Sequence, residues 1–182
     1  MQFLETAIQG VIRIRPQVYT DQRGSFREQF RNDRFKQEGL CHDFVQDNVS
    51  ISTRGVIRGM HYQIIQPQIK LVTVLKGSVV DVAVDLRKHS PTYGKYVSLI
   101  LSEQNMEMLY IPEGFAHGFQ SLEDGTIFSY KCSDYYCPEG ERSIVWSDPD
   151  INIHWPIQPP VLSHKDVQNP RLSSLTEQDL PV

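Results

Sequence analysis

The chain is poor in cysteine and has no surplus of positive charge. Its three cysteines, Cys41, Cys132 and Cys137, are an odd number and lack the Cys-x-x-Cys spacing of a zinc site, so we expect buried or idle thiols. The formal net charge is -4 over 182 residues, whereas a general nucleic-acid binder carries an excess of basic side chains. We therefore expect no nucleic-acid partner, and any anionic ligand must be held by a local basic cluster.

Long hydrophobic runs are also missing. No apolar stretch approaches the roughly 20 residues of a membrane-spanning helix. The first ten residues carry Glu5 in place of the basic residues and long apolar stretch of a secretory signal. We expect a cytoplasmic protein with no membrane partner. The length suits one domain, predicted over residues 1–182, and there is no internal repeat.

Helical patterns are scarce, and most of the chain alternates as strands do. One short helix is predicted over residues 32–39, with Asn32 as its cap and Gly39 as its end. Residues 10–20 form a strand pattern that ends at a turn over residues 21–24. Further strand patterns cover 44–51, 56–63, 69–75, 79–86, 96–101, 107–111, 118–122, 126–132 and 143–146. Many short strands separated by proline and glycine predict an all-β sandwich or barrel.

Two further segments carry distinct patterns. In residues 79–86 the even positions from Val80 to Leu86 are large and apolar, whereas Asp81 and Asp85 occupy the other face, which we expect to be wet or to line a cavity. Residues 156–182 are rich in proline and have little periodicity. They predict a C-terminal tail that wraps around the body.

The stretch Gly55–Gln63 places the guanidinium of Arg58 and the imidazole of His61 three residues apart in an extended run. Strict strand alternation would put the two side chains on opposite faces, and a twist or bulge near Gly59 would bring them together. His61 is either a structural strand histidine or a proton-transfer group, because an imidazole exchanges protons near neutral pH.

A second histidine, His117, ends the segment Pro112–His117, a Pro-x-Gly turn typical of cupins. Metal-binding cupins pair two histidines in their first motif, and here Gln63 stands where the second would be. With too few ligands left, we expect no metal. A base at His61 would still need an orienting carboxylate, an acid and an electrophile. The candidates are Asp166, Tyr130 and Lys70, and each also has a plain alternative as a turn, packing or solvated residue.

Several segments in register along the chain resemble the dTDP-4-dehydrorhamnose 3,5-epimerase family. They are Asp21-x-Arg23-Gly24-x-Phe26-x-Glu28, Gln46-Asp47-Asn48, residues 55–63, Lys70-Leu71-Val72, residues 81–87, Ser90-Pro91-Thr92-x-Gly94, residues 111–119, Tyr130, Tyr135-Tyr136, Glu141, Trp146 and Ser163-x-Lys165-Asp166. The resemblance implies a cupin-type jelly-roll barrel, or double-stranded β-helix, with a few short helices. It also implies a homodimer with N-terminal strands at the interface.

The resemblance implies a cofactor-free epimerase acting at C3 and C5 of dTDP-4-dehydro-6-deoxy-D-glucose, in dTDP-L-rhamnose biosynthesis for cell-surface polysaccharide. His61, held by Asp166, would remove a proton next to the C4 ketone. Lys70 would stabilise the enolate, and Tyr130 would return a proton to the opposite face. A donor to an enolate is typically worth roughly 3–4 kcal/mol.

The family's ligand contacts map onto a further set of substrate-binding residues. Basic side chains would hold the diphosphate, an aromatic ring would lie on the nucleobase, with Tyr136 a better match than Phe26, and polar groups would meet the base and sugars. The set is Arg23, Phe26, Glu28, Gln46, Asp47, Asn48, Arg58, Lys70, His117, Tyr136, Glu141 and Lys165. Arg23 and Phe26 are expected to reach the partner's site.

Three other functions are compatible with the residues. An epimerase of only C3 or only C5, or of a differently linked nucleotide, would use the same base and lysine. A sugar-binding cupin without catalytic activity would bind its ligand with no solvent exchange at carbon. A metal-dependent cupin oxygenase would need iron or manganese, which Gln63 disfavours.

Overall fold

The computed structural model describes residues 1–40 and 43–181, which form mainly antiparallel strands. The strands are β1 (Gln2–Glu5), β2 (Ile12–Arg15), β3 (Val18–Asp21), β4 (Gly24–Arg27), β5 (Gln46–Ser52), β6 (Ile57–Gln63), β7 (Lys70–Lys76), β8 (Ser78–Asp85), β9 (Tyr96–Ser102), β10 (Met108–Ile111), β11 (Phe115–Ser121), β12 (Thr126–Cys132) and β13 (Glu141–Ser143). The helices are α1 (Asn32–Gln37), α2 (His164–Val167) and two 3-10 turns, Leu172–Ser174 and Glu177–Asp179. The all-β prediction is confirmed.

The strands form two large sheets and one hairpin. The six-stranded sheet has the order β1-β2-β10-β7-β12-β5, and the five-stranded sheet has the order β13-β6-β11-β8-β9. The hairpin pairs β3 with β4 through the predicted turn, with Asp21 opposite Gly24. Strands distant in sequence become neighbours, so residues far apart along the chain meet in the space between the sheets.

The core lies between the two large sheets. Val72 and Phe128 of the six-stranded sheet pack there with Ala83, Leu101 and Phe119 of the five-stranded sheet, all buried. Each sheet also has its outer face covered. Phe35 of α1 packs on the six-stranded sheet, and the C-terminal segment covers the five-stranded sheet with Ile151, Ile153, Trp155 and Leu172. Burial of both faces explains the near-continuous apolar runs of the central strands.

Strand β8 shows the consequence for charged residues. Val80, Val82 and Val84 face the C-terminal segment, as the alternation predicts. Asp81 and Asp85 face the other way and are fully buried, so of the two alternatives expected for this face, a wet surface or a cavity lining, the wet surface is wrong. Both carboxylates therefore need internal partners.

Some predicted boundaries need correction. Asn32 is the first residue of α1, and the N-cap residue is Arg31. The side-chain amide of Asn32 donates to Asp43 Oδ1 at 2.9 Å and does not cap the helix. Strand β11 begins at Phe115, three residues before the predicted start. Strand β13 ends at Ser143, where the predicted strand began.

The bulge lies at Gly59. His117 of β11 is opposite His61 and Phe119 is opposite Arg58, so β6 has one more residue than β11 in this interval. Gly59 has φ +138°, and a Cβ there would lie 2.5 Å from the Cα of Gly118. The bulge shifts the alternation, so Arg58 and His61 line the same cavity. The interpretation of a bulge near Gly59 is confirmed.

Of the three cysteines, Cys132 and Cys137 are free thiols, the first buried and the second half-buried. Cys41 lies outside the described residues. None of the described helices has the length and apolar character needed to cross a bilayer.

Asp85 has the strongest anchoring of the buried carboxylates in β8. It accepts hydrogen bonds from Ser90 Oγ and Thr92 Oγ1 at 2.6 Å and from Arg87 Nη2 at 2.8 Å. Burial raises the pKa of Asp85, but these donors outweigh burial and bring it from 3.8 to about 2. The carboxylate thus fixes the loop after β8.

We expect Asp85→Asn to lower the free energy of unfolding near neutral pH by about 2 kcal/mol. Because the pKa is lower in the folded chain than in the unfolded one, this contribution is present above about pH 4 and is lost as the pH falls toward about 2. Urea unfolding at both ends of this range measures it, with the exposed Asp150→Asn as control. An equal loss at both pH values would contradict the assignment.

Candidate active site

Two adjoining cavities lie between the sheets and share His61, Lys70 and Tyr130. The first, about 260 Å³, is called the amide cavity; its other lining residues are Gln46, Asn48, Tyr62, Gln63, Gln68, Tyr136 and Glu141. The second, about 290 Å³, is called the histidine cavity; its other lining residues are Ser50, Arg58, His117, Phe119, Phe128, Ser163, Lys165 and Asp166. Most of the predicted site residues therefore converge on one place.

A larger cleft of about 730 Å³ lies between residues 7–9, the loop after β8 and the C-terminal residues. Its basic side chains are already paired, Arg87 with Asp85 and Lys88 with Glu177. None of the predicted site residues lines it. The two cavities between the sheets are the better candidate because their titratable groups face a shared space.

His61 on β6 is bonded to Asp166 on α2, with 2.6 Å between Nε2 and Oδ1. Ser163 caps α2, and its hydroxyl donates to Asp166 Oδ2 at 2.8 Å while accepting from the Asp166 backbone N–H at 3.1 Å. Burial raises the pKa of Asp166, but the bond and charge of His61 and the Ser163 hydroxyl outweigh it and the pKa is lowered. The ionised carboxylate therefore orients the imidazole.

Lys70 and Tyr130 reach the cavities from the six-stranded sheet. Burial lowers the pKa of the Lys70 ammonium. Burial also raises the pKa of Tyr130 above its ordinary 10.0, so the phenol keeps its proton at neutral pH. The shared cavity thus has an oriented imidazole on one sheet and two proton-carrying groups on the other.

His117 on β11 is bonded to the buried Asp81 of β8, with 2.9 Å between Nε2 and Oδ2. Its ring stacks on Phe128 with 6.0 Å between centroids. The other carboxylate oxygen, Asp81 Oδ1, is buried with no hydrogen-bond partner among the described residues. His117 is therefore held rigidly in the wall of the histidine cavity.

Glu141 links the two cavities. Its Oε2 accepts from Tyr136 Oη at 2.8 Å and from Lys165 Nζ at 2.5 Å. Burial raises the pKa of Glu141, but these two bonds outweigh it and the pKa is lowered. The same contact raises the pKa of Lys165. Tyr136 and Lys165 are thus placed at the rim by one carboxylate.

Asp47, one of the predicted binding residues, lies on β5 and does not line the amide cavity. Gln46 and Asn48 point into the amide cavity, and because side chains alternate, Asp47 between them points outward. Its carboxylate pairs with Lys131 Nζ at 2.9 Å. The structure does not bring Asp47 to the cavities.

Three other predicted binding residues also lie away from the cavities of their own chain. Arg23 is paired with Asp21 at 2.5 Å at the tip of the hairpin, Phe26 is 70% exposed on β4, and Glu28 lies 3.5 Å from Arg31. The Phe26 ring is therefore largely uncovered by its own chain. This placement leaves the hairpin free to meet another molecule.

Sequence reasoning missed several residues of the histidine cavity. Ser163 was detectable, since Ser163-x-x-Asp166 has the spacing of a helix capping box. Ser50, whose buried hydroxyl has no described partner, and Phe119 carry no local signal. Asp81 is recognisable only as an aspartate within an apolar strand.

Among residues 1–40 and 43–181, no group of three or more His, Cys, Asp or Glu side chains is arranged to hold a metal ion. His61 and His117 are opposite each other on adjacent strands, and each has a carboxylate partner. Gln63, at the position of a second ligand, uses its amide on backbone groups.

The family model described as dTDP-4-dehydrorhamnose 3,5-epimerase matches residues 5–174. The enzyme of that name from Methanothermobacter thermautotrophicus is 52% identical over 157 residues, covering 86% of this chain and 85% of the relative. Among solved structures, dTDP-6-deoxy-D-glucose-3,5-epimerase RmlC from Legionella pneumophila, in complex with dTDP-4-keto-L-rhamnose, is similar at a TM-score of 0.96. It is 47% identical, with 99% of this chain and 97% of that chain covered.

A structure with a different activity is also similar. ChmJ, a 3'-monoepimerase from Streptomyces bikiniensis in complex with dTDP-quinovose, aligns at a TM-score of 0.90. It is 36% identical, with 97% of this chain and 91% of that chain covered. The jelly-roll fold inferred from the sequence is confirmed by these likenesses.

The His61–Asp166 pair leads to a test that needs no substrate. We expect His61→Ala to raise the pKa of Asp166, because the main contribution that opposes burial is removed. Ser163→Ala removes a smaller contribution and should raise this pKa less. Carbon-13 NMR titration of labelled aspartate carboxyls measures both variants. An unchanged Asp166 pKa in His61→Ala would show that the pair does not form.

Proposed function

The chain belongs to the dTDP-4-dehydrorhamnose 3,5-epimerase family, and we propose that it inverts C3 and C5 of dTDP-4-dehydro-6-deoxy-D-glucose to give dTDP-4-dehydro-L-rhamnose. The observation that carries this proposal is the oriented His61–Asp166 pair, which shares one cavity with Lys70 and Tyr130 of the opposite sheet. The reaction requires a base, an acid and a group that stabilises negative charge, and these residues supply all three.

The C4 ketone makes the hydrogens on C3 and C5 acidic, so a base can remove either proton to leave an enolate. His61 is proposed as that base. Asp166 holds the imidazole in one orientation and stabilises the imidazolium that forms. Lys70 is proposed to donate to the C4 oxygen. Burial lowers the pKa of Lys70, and in the same water-poor surroundings a hydrogen bond to a developing oxyanion is worth more than in water.

Inversion requires the new proton to arrive on the face opposite the base. Tyr130 is on β12 of the six-stranded sheet, and His61 is on β6 of the other sheet. A sugar lying between the sheets would therefore have one residue on each face. The raised pKa of Tyr130 supports its role as the proton donor, because the phenol is protonated before the reaction.

The nucleotide is proposed to occupy the amide cavity and its rim. Tyr136 is 53% exposed there and would stack on the base, while Gln46, Asn48 and Glu141 would bond to the base and sugars. Arg58 and Lys165 line the histidine cavity and would meet the diphosphate. His117 is proposed as a binding group beside the sugar. Arg58 and Lys165 thus supply the local basic cluster that a chain of net negative charge needs to hold an anionic ligand.

We propose a homodimer in which the β3–β4 hairpin of one chain completes the site of the other. The support is the exposure of Phe26 at 70% and Tyr19 at 63%, together with the exposed Val49 and Ile51 on β5, the edge strand of the six-stranded sheet. An exposed apolar edge strand favours pairing with another chain. Arg23, Phe26 and Glu28 would then contact nucleotide in the partner's site.

Three wider assignments complete the proposal. We propose a single domain over residues 1–182, a place in the cytoplasm where nucleotide sugars are made, and a product used for cell-surface polysaccharide. The similarity to ChmJ keeps one alternative open, epimerisation at a single carbon. The higher identity to relatives named as 3,5-epimerases favours inversion at both carbons.

We expect deuterium from D₂O to enter both C3 and C5 of dTDP-4-dehydro-6-deoxy-D-glucose when the chain is added. His61→Ala should slow this exchange by about 10²–10⁴-fold, because the base is removed. Tyr130→Phe should retain exchange and lose most inversion. Proton NMR follows both carbons, with the exposed His154→Ala as control. Exchange at one carbon only would reassign the chain to a single-site epimerase, and no exchange despite binding would contradict the epimerase role.

The shared site is testable by mixing two inactive variants. A His61→Ala chain has an intact hairpin, and an Arg23→Ala/Phe26→Ala chain has an intact His61. A mixed dimer contains one site with both parts intact, so we expect about half the wild-type activity per mixed dimer. Activity that is not restored, in dimers confirmed by mass spectrometry, would show that the hairpin serves its own chain or none.

A further inference from the structure

Residues 134–137, which connect β12 to β13, form neither helix nor strand. Glutamine side chains hold their backbone instead. Gln68 Nε2 donates to the Asp134 carbonyl at 2.9 Å, and Gln63 Nε2 donates to the Tyr135 carbonyl at 3.2 Å. The Tyr136 N–H donates to Gln46 Oε1 at 3.0 Å. Because this backbone makes no regular ladder bonds, the three side-chain bonds define the path of the segment.

Gln63 contributes most to this arrangement. It is 7% exposed, and its Oε1 accepts from the Cys137 N–H at 3.0 Å. Its Nε2 also donates to the Gln66 carbonyl at 2.7 Å, so one amide joins the segment after β6 to the segment before β13. The two segments are in close contact, since a Cβ on Gly140 would lie 2.6 Å from the Ile65 carbonyl oxygen. The Gln63 amide is fully used on backbone groups.

We infer that Gln63 is a positioning residue that fixes Tyr136 for nucleotide binding by holding residues 135–137. Tyr136 is more than half exposed, so little packing holds its ring, and the bond from its hydroxyl to Glu141 fixes only the far end of the side chain. Its backbone N–H is held by Gln46, and its neighbours on both sides are held by Gln63. A ring that is already ordered loses less entropy when a base stacks on it. This inference rests on the proposed function, because Tyr136 is taken as the nucleobase platform.

Gln63 lies close to His61 in sequence but makes no hydrogen bond to the proposed proton-transfer pair. It is two residues after His61 on β6, so its side chain points to the same side of the strand. Within the described residues, its side-chain hydrogen bonds go to backbone groups of residues 65, 66, 135 and 137, and none goes to His61 or Asp166. Loss of its amide should therefore weaken nucleotide binding more than it slows the chemical step.

Gln63→Met keeps the length of the side chain and removes all of these bonds. We expect the Kd for dTDP and the KM for the substrate to rise about tenfold or more, with kcat changing less than KM, because the backbone of residues 135–137 loses its side-chain partners and the segment loosens. Hydrogen exchange of residues 134–137 should become faster. Gln63→Glu, which keeps the acceptor for Cys137, should have a smaller effect on exchange at Cys137. The exposed Gln104→Met is the matched control.

A double-mutant cycle distinguishes positioning from general loosening. If Gln63 acts through Tyr136, Gln63→Met should add less than about twofold to the Kd of Tyr136→Ala, because the ring is already absent. Multiplicative effects, or a folded Gln63→Met chain with unchanged affinity for dTDP, would overturn the inference. If the wild-type chain does not bind dTDP, the proposed function fails instead. Faster exchange in Gln63→Met would then still support the backbone role, and unchanged exchange would overturn it.

Discussion

The 2.6 Å bond between His61 and Asp166 depends on how the end of the chain is docked. The two residues are 105 positions apart, and α2, which carries Asp166, is too short to be stable by itself. It is held because Ile153, Trp155 and Leu172, on either side of it, are buried on the outer face of the five-stranded sheet. Burial of an apolar face thus positions a proton-transfer pair on the opposite side of the same sheet.

Burial also sets the protonation states inside the barrel. It lowers the pKa of Lys70 and raises that of Tyr130, so that the Tyr130 phenol keeps its proton at neutral pH. Asp166 is buried as well, but hydrogen bonds outweigh the cost and keep it ionised. The same environment therefore favours an ionised carboxylate beside His61 and a protonated phenol on the facing sheet, according to which groups have partners.

The two cavities of one chain meet around His61, Lys70 and Tyr130, and the amide cavity reaches the surface at Tyr136. Tyr136 and Lys165 at its rim are held by Glu141 and by glutamine bonds to the backbone, whereas Arg23 and Phe26 lie on a hairpin elsewhere. The proposed proton-transfer groups therefore come from one subunit, whereas part of the proposed nucleotide contact comes from the hairpin of a second subunit.

The sequence by itself determined the strand content and the turn between β3 and β4, because alternation and turn residues are local properties. It offered the proposed reacting groups only as candidates, and their roles came from the resemblance to a family. Only the tertiary structure decided which groups meet. The bulge at Gly59, permitted by the absence of a Cβ next to Gly118, puts Arg58 and His61 on one side, and strand alternation turns Asp47 away. Ser50 and Asp81 join the site through sheet packing between distant segments, for which no local pattern exists.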